Sequence, residues 1–367
     1  MRVAHLGTGR TWRGGQQQVL LLLEGLKARG IETLLLAPPG PLLERARAGG
    51  FEAFEWRARG EWDAGSVLDA RRRLRAFGPV VTHLHSAHAH TLGAIAARAS
   101  GDSAVVVSRR VDFAVATTPG SWLKYRLPVD RYFCISSGVM EVMRRGGVPA
   151  GKLALVPSGV RFATESEVRS APDLRTELAI PREVRLIGTV AALAPHKDHA
   201  DLMRAAARVC ATRGDVQFVW LGEGECRPAL EAQRRALGLE ARVHMPGFRP
   251  GARACIPQFT LFALASYLEG LCTSIIDAQS LGVPVVATRT GGIPDLIEDG
   301  SNGRLVAPRD PESLASALLE ALDRPEAPAA WAARAQETVK SFSADRMVER
   351  SLDEYRRLEL PRAHPNA

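Results

Sequence analysis

The chain has 367 residues, 46% hydrophobic and 24% charged, a balance that excludes a disordered or fibrous polypeptide. At that length one hydrophobic core is too few, so two domains are expected. Lys and Arg number 48 against 40 Asp and Glu, a formal net charge of +8, and only five of the basic residues are lysines (Lys27, Lys124, Lys152, Lys197, Lys340). Five cysteines without a Cys-x-x-Cys pair exclude a disulfide framework and fit a reduced, cytoplasmic protein.

The opening "MRVAHLGTG" enters a strand at once, which leaves no room for a signal peptide. Strand-like runs then alternate with helical ones. Strands are read at "RVAHLG", "ETLLLA", "FEAFEW", "VVTHLH", "AVVVSR", "RYFCIS" and "KLALVP", with helices such as "QQQVLLLLEGLKARG" and "AHTLGAIAARAS" between them. After residue 184 the strands are "RLIGTVA", "VQFVWLG", "ARVHMPG", "FTLFALA" and "PVVAT". The alternation predicts an α/β protein with two parallel sheets, each covered on both faces. The polar stretch 157–183, with three prolines, reads as a hinge. "SADRMVERSLDEYRRLEL" reads as a late amphipathic helix and "PRAHPNA" as a frayed tail. No apolar run is long enough to span a membrane, so any membrane contact is expected to be peripheral, on the inner face. The arginine excess has two readings, a GC-rich coding bias or attraction to an anionic surface. "RRRLR" (Arg71 to Arg75) and Arg126 are candidates for a membrane face, against a plain solvated helix face.

In open parallel sheets ligands bind beyond the carboxyl ends of strands, so the turns after strands carry the chemistry. Gly14-Gly15 in "GTGRTWRGGQQQ" opens a helix whose free N–H groups suit a phosphate, without the G-x-G-x-x-G of a dinucleotide site. "HLHSAHAH" places His83 and His85 on one strand face and His88 and His90 in the next turn, yet no nearby carboxylate or cysteine completes a metal site. Lys197 in "VAALAPHKDH" can meet a diphosphate, or stand as an exposed loop lysine. In "SYLEGLCTSIIDAQ" Thr273 or Ser274 can cap a short helix whose N–H groups suit a phosphate, with Glu269 one turn away. Asp277 fits either a ligand role or a capping box begun by Ser274.

Glu269 to Val306, "EGLCTSIIDAQSLGVPVVATRTGGIPDLIEDGSNGRLV", resembles the donor-binding segment of retaining glycosyltransferase family 4, of GT-B fold. "WRGGQQQVLLLLEGL", "CISSGVMEVM", "VPSGV", "PHKDH", "LGEGECRPALE" and "PGF" follow the family's order, so the resemblance covers nearly the whole chain. It implies two Rossmann-like doubly wound domains facing across a cleft, an acceptor-side one at 1–163 and a nucleotide-sugar-binding one at 164–341, with helix 342–358 crossing back to the first. It implies a metal-independent transfer of a sugar, with retention, from a nucleotide-diphosphate-sugar donor to an acceptor hydroxyl. The expected acceptor is a cell-surface glycan, lipopolysaccharide or lipid-linked carrier, with no cofactor and no nucleic-acid partner.

By the same resemblance Glu269 contacts the donor sugar and Asp277 binds the ribose, with Gly247 and Phe248 at the ribose and base. Gly14, Gly15, Lys197 and the N–H groups of Leu271, Cys272, Thr273 and Ser274 hold the diphosphate. The chain departs from the family at Asp277, where a second glutamate is usual, and at Ala192, where an arginine is usual. It also carries "SRR" where a histidine is common, so Arg109 or Arg110, His85 or His88 are the candidates to replace that histidine beside the reacting sugar. Two other functions share these residues: a GT-B nucleotide-sugar epimerase and a non-catalytic nucleotide-sugar-binding protein.

Overall fold

A computed structural model describes residues 1–358 apart from 62, 102, 114 and 116–123. Two compact units make up the chain, Met1–Gly159 together with the segment from Ala344 onward, and Val160–Ser343.

The first unit holds seven strands: β1 (Arg2–Leu6), β2 (Glu32–Ala37), β3 (Glu52–Glu55), β4 (Val81–Leu84), β5 (Ala104–Arg109), β6 (Arg131–Cys134) and β7 (Leu153–Leu155). They form one parallel sheet in the order β3-β2-β1-β4-β5-β6-β7. Runs such as Leu34-Leu35-Leu36 are buried throughout because helices cover both faces. The last helix, Ala344–Arg357, belongs to this unit. Its stripe of Met347, Val348, Leu352 and Tyr355 packs into a core with Val3, Leu22, Val81, Val106 and Phe133. It lies close on the helix Gly14–Lys27: a Cβ on Gly25 would stand 2.4 Å from Val348 Cγ2. Only glycine admits that approach.

The second unit holds β8 (Arg185–Val190), β9 (Val216–Leu221), β10 (Val243–Gly247), β11 (Leu261–Leu264), β12 (Val285–Thr288) and β13 (Arg304–Val306). Their order is β10-β9-β8-β11-β12-β13, again all parallel. The order is that of a doubly wound dinucleotide-type sheet. The core under it is built from Phe218, Trp220, Leu202, Met203 and Leu318.

The sequence places the division at 163/164 and a hinge over 157–183; the units divide instead at Gly159. Gln18, buried in the first unit, donates to the Gly159 carbonyl at 2.7 Å and accepts its N–H at 2.9 Å. Val160 pairs with Ser343 at the other end of the second unit. Most of the supposed hinge is folded onto the second unit, with short helices at Glu165–Arg169 and Leu174–Glu177. Leu174 N–H donates to Gln258 there at 2.8 Å.

Candidate active site

In the second unit the chain order reverses between the neighbours β8 and β11, the place where open parallel sheets bind ligands. Each strand sends a charged residue from its carboxyl end. After β8 the chain turns through a 3₁₀ segment, Pro195–Lys197, and Asp198 caps the helix His199–Thr212. A Cβ on Gly222, just after β9, would stand 1.9 Å from the Ala191 carbonyl oxygen, so that glycine lets the turn close on the loop leading to Lys197. After β11 come Ser266 and Glu269, then the helix Thr273–Ser280. The two loops are tied by Tyr267 N–H donating to the His196 carbonyl at 3.0 Å.

Lys197 Nζ and Glu269 Oε1 meet at 2.5 Å, and Ser266 Oγ donates to the same oxygen at 2.8 Å. The pair is largely removed from water, with side-chain exposures of 15% and 7%. Burial opposes the ammonium, but Cys272 and Glu269 outweigh it and hold Lys197 above the ordinary lysine value. Burial, then Glu269, also pushes the Cys272 thiol up. Cys272 is therefore a neutral thiol near pH 7.

The helix after Glu269 starts earlier than the capping-box reading requires. Cys272 is its N-cap and makes no side-chain capping bond, while neither Thr273 nor Ser274 caps. Buried Leu271 and Cys272 anchor the turn, and Ile275 N–H already reaches the Cys272 carbonyl at 3.1 Å. Asp277 thus lies beyond the first turn, where it cannot return to the helix end, and its cap reading is corrected. The carboxyl of Asp277 is half-buried, and burial pushes it up to about 6 against a small opposing pull from Arg253. The N-cap side chain of Cys272 does not occupy the N–H groups at the start of this helix, as a helix end that meets an anion requires. At the end of β10, Gly247 has φ 95° and Phe248 is 71% exposed.

In the first unit the structure brings together residues that the sequence leaves apart. His5 and His83 face each other in register on β1 and β4, and His83 and His85 share a face. Arg110 Nη2 lies 3.3 Å from His85 Nδ1, and His85 Nε2 lies 3.0 Å from His5 Nδ1. A guanidinium has donors only, so His85 accepts at Nδ1, carries its hydrogen on Nε2 and donates to His5. The His5 hydrogen then stands on Nε2, which has no partner among the described residues. Burial holds all three histidines below the ordinary range.

His83 bonds Tyr355 OH at 2.5 Å and Ser108 Oγ at 2.8 Å. The three rings could hold a metal ion, with ligand atoms within 4.8 Å of one another. Their nitrogens are largely engaged in hydrogen bonds, and the Arg110 cation beside His85 opposes a second positive charge. Gly15 borders this cluster, 3.9 Å from Arg110 Cδ to a Cβ built on it. His88, a candidate for the missing histidine, is exposed at the start of the helix Ala87–Ser100 and does not line the cavity beside His85.

The basic run is partly spent within the unit. Arg71 donates to the Ala99 carbonyl at 2.8 Å, and Arg72 and Arg73 pair with Asp69 at 3.1 and 3.2 Å. Sequence reasoning misses Ser266, His5, Tyr355 and Lys124 as parts of a site. His5 is findable: once β1 and β4 are neighbours, equal positions in the two strands place it against His83. Tyr355 is not, since nothing local ties it to residue 83.

Two family models cover most of the chain: "Glycosyltransferase Family 4" matches residues 12–163 and "Glycosyl transferases group 1" matches residues 170–338. The chain is 33% identical over 187 residues to a D-inositol 3-phosphate glycosyltransferase of Mycobacterium avium, a match spanning 50% of this chain but only 44% of that relative. It is 28% identical over 336 residues to a D-inositol 3-phosphate glycosyltransferase of Corynebacterium efficiens, covering 87% of this chain and 75% of the relative. It is 25% identical over 275 residues to an Escherichia coli UDP-Gal:alpha-D-GlcNAc-diphosphoundecaprenol alpha-1,3-galactosyltransferase, covering 71% of each chain. The fold is that of Anabaena HepE, solved in complex with UDP, with a TM-score of 0.85 at 19% identity over 98% of this chain and 100% of that one. With both halves matched in order and both sheets in the expected topology, the chain belongs to the family 4 type of GT-B glycosyltransferases.

Proposed function

We propose that the protein transfers a sugar from a nucleotide-diphosphate donor to an acceptor hydroxyl, with retention at the anomeric carbon and without a metal. The observation that carries this is the Lys197–Glu269 pair at the switch point of the second unit, beside a helix start with no side-chain cap. A diphosphate leaving group gathers negative charge as the glycosidic bond breaks. Lys197 and the N–H groups of Leu271 to Ser274 are fixed donors for it, and fixed donors cost no reorganisation during the reaction. Glu269 then accepts from a hydroxyl of the donor sugar and orients it, rather than attacking it. In the family's front-face displacement the leaving diphosphate takes the acceptor proton. The acceptor is a glycan or lipid-linked carrier, a reading that the name of the Escherichia coli relative supports.

A thermal-shift panel of UDP-, GDP- and ADP-sugars tests the donor class. At one hundred times its dissociation constant a ligand stabilises by about 2.7 kcal/mol, and one nucleotide series should do so. Product from the donor so identified should keep the anomeric configuration by NMR. Inversion ends the retaining mechanism, an epimerised donor makes the protein an epimerase, and binding without turnover makes it a sensor.

Asp277 as the ribose ligand gives a pH prediction. Its folded pKa, about 6, stands above the unfolded value, so the folded state holds the proton more tightly. From roughly pH 4 to 6 stability therefore falls as pH rises, and at neutral pH the ionised group is a net cost to the fold. Ribose hydroxyls are better held by the ionised form, so nucleotide affinity should weaken as pH drops through about 6. Asp277→Asn should raise the melting temperature at about pH 7.5, weaken the nucleotide and flatten its pH dependence. Calorimetry on either side of the Asp277 pKa, at about pH 5 and about pH 7.5, checks this; an unchanged pH slope in the variant removes Asp277 from the ribose.

A further inference from the structure

The first unit contains a cavity of about 310 Å³ at the carboxyl ends of β4 and β5, with Tyr132 of β6 in its wall. This volume lies at the low end for small-molecule sites. Arg109, Arg110 and Lys124 line it, and among the described residues no Asp or Glu does. Glu61 pairs with Lys124 at 2.8 Å from outside the lining, and Arg109 Nη2 donates to the Phe113 carbonyl at 2.5 Å. Arg110 reaches the neutral ring of His85. The Nε atoms of Arg109 and Arg110 are both buried without a hydrogen-bond partner among the described residues.

Three further observations point the same way. The helix Ala87–Ser100 begins at the cavity, with Ser86 and Ala87 in the wall. Its N-cap Ser86 makes no capping bond, since its Oγ is taken by Thr8 N–H at 3.0 Å and Thr8 Oγ1 at 2.7 Å. The positive end of that helix is therefore open to the cavity. The surrounding field is positive as well: after burial, Lys124 and Arg109 are what hold His90 far below its ordinary range. The sequence of 114–123, which joins Phe113 to Lys124, carries no acidic residue.

We infer that this cavity is an anion site, and that it takes a phosphate of the acceptor, as a phosphomonoester or a diphosphate. The inference rests on the transferase reading for the word acceptor; the anion site stands on the cavity alone. Arginine forks, an ammonium and helix N–H groups converging without a carboxylate in the lining are the donor set of a phosphate site. A neutral sugar hydroxyl would leave the buried Arg110 guanidinium unanswered. His85, bonded to Arg110, acts as a positioning residue for it.

The test is calorimetric titration of the full chain with inorganic phosphate, glucose 6-phosphate and geranyl diphosphate, with glucose as the uncharged control. Wild type, Arg110→Gln, Arg110→Lys, Lys124→Gln and Lys197→Ala are compared, each with a folded state verified by circular dichroism. The expected result is anion binding that weakens about fivefold or more in Arg110→Gln and in Lys124→Gln. Arg110→Lys should recover part of it, Lys197→Ala should keep it, and glucose should not bind there. Preference for glucose 6-phosphate identifies a phosphorylated sugar acceptor, and preference for geranyl diphosphate a lipid diphosphate. Absence of anion binding in wild type, or equal binding in the Arg110 and Lys124 variants, overturns the inference. Loss confined to Lys197→Ala does too, because the anion then sits in the second unit. The donor reading fails separately, by Lys197→Ala binding nucleotide diphosphates like wild type.

Discussion

Glu269→Gln should lower the transfer rate on the order of a hundredfold, the scale expected when a reacting centre is misplaced by about 1 Å. Glutamine keeps the size of the side chain and one acceptor oxygen, but the charge that fixes the sugar and holds Lys197 is gone. In the sequence the residue reads as a turn glutamate whose removal leaves packing and nucleotide affinity intact. The structure revises that expectation, because Glu269 is buried against Lys197. Removing one partner strands the other, a cost of roughly 3–5 kcal/mol for a fully buried pair and about 2 kcal/mol here, where Lys197 keeps some contact with water. The variant should therefore melt earlier than wild type. It should also bind a nucleoside diphosphate at least as tightly, since the phosphate becomes the only anion for Lys197. Wild-type turnover in Glu269→Gln would remove the residue from the reaction.

Lys197→Ala is the second large effect. A charge-assisted contact to phosphate contributes about 1.5–3 kcal/mol, so diphosphate affinity should fall by roughly ten- to a hundredfold and turnover with it. The substitution also leaves Glu269 buried without its ammonium partner, with Ser266 Oγ still donating to Oε1. A double variant, Lys197→Met with Glu269→Leu, should recover stability without recovering activity, as replaced buried pairs do. If Lys197→Ala and the double variant melt alike, the pair makes no difference to the fold.

The sheets are legible because their strands are continuous apolar runs between helical ones, as in "ETLLLA" and "VQFVWLG", and twelve of these runs contain β1 to β12. The thirteenth strand, Arg304–Val306, escapes that reading: three residues between Gly303 and Ala307 carry no period to read. The hinge reading runs too long, since the units divide at Gly159 near its start and polar, proline-containing sequence describes a linker and a docked pair of short helices equally well. At the site, strand-end logic reaches Lys197, Glu269 and Asp277, since any residue after a strand in a parallel sheet stands at the ligand-binding edge. It cannot reach their pairing. That depends on β8 and β11 being neighbours, a long-range fact that brings residues 197 and 269 to 2.5 Å. The cap reading of Asp277 falls to a two-residue shift of a helix start, which buried Leu271 and Cys272 set and local pattern does not.

The central claim, that the second unit binds a nucleotide through its diphosphate, is tested most directly by comparing nucleoside diphosphates with their monophosphates. Calorimetry with UDP and UMP, GDP and GMP, ADP and AMP gives a ratio of affinities for each base in wild type and in Lys197→Ala. One pair should show the diphosphate about tenfold tighter or more in wild type, about 1.4 kcal/mol, with the difference largely lost in the variant. Equal affinities for diphosphate and monophosphate, or a preference untouched by Lys197→Ala, would contradict the account.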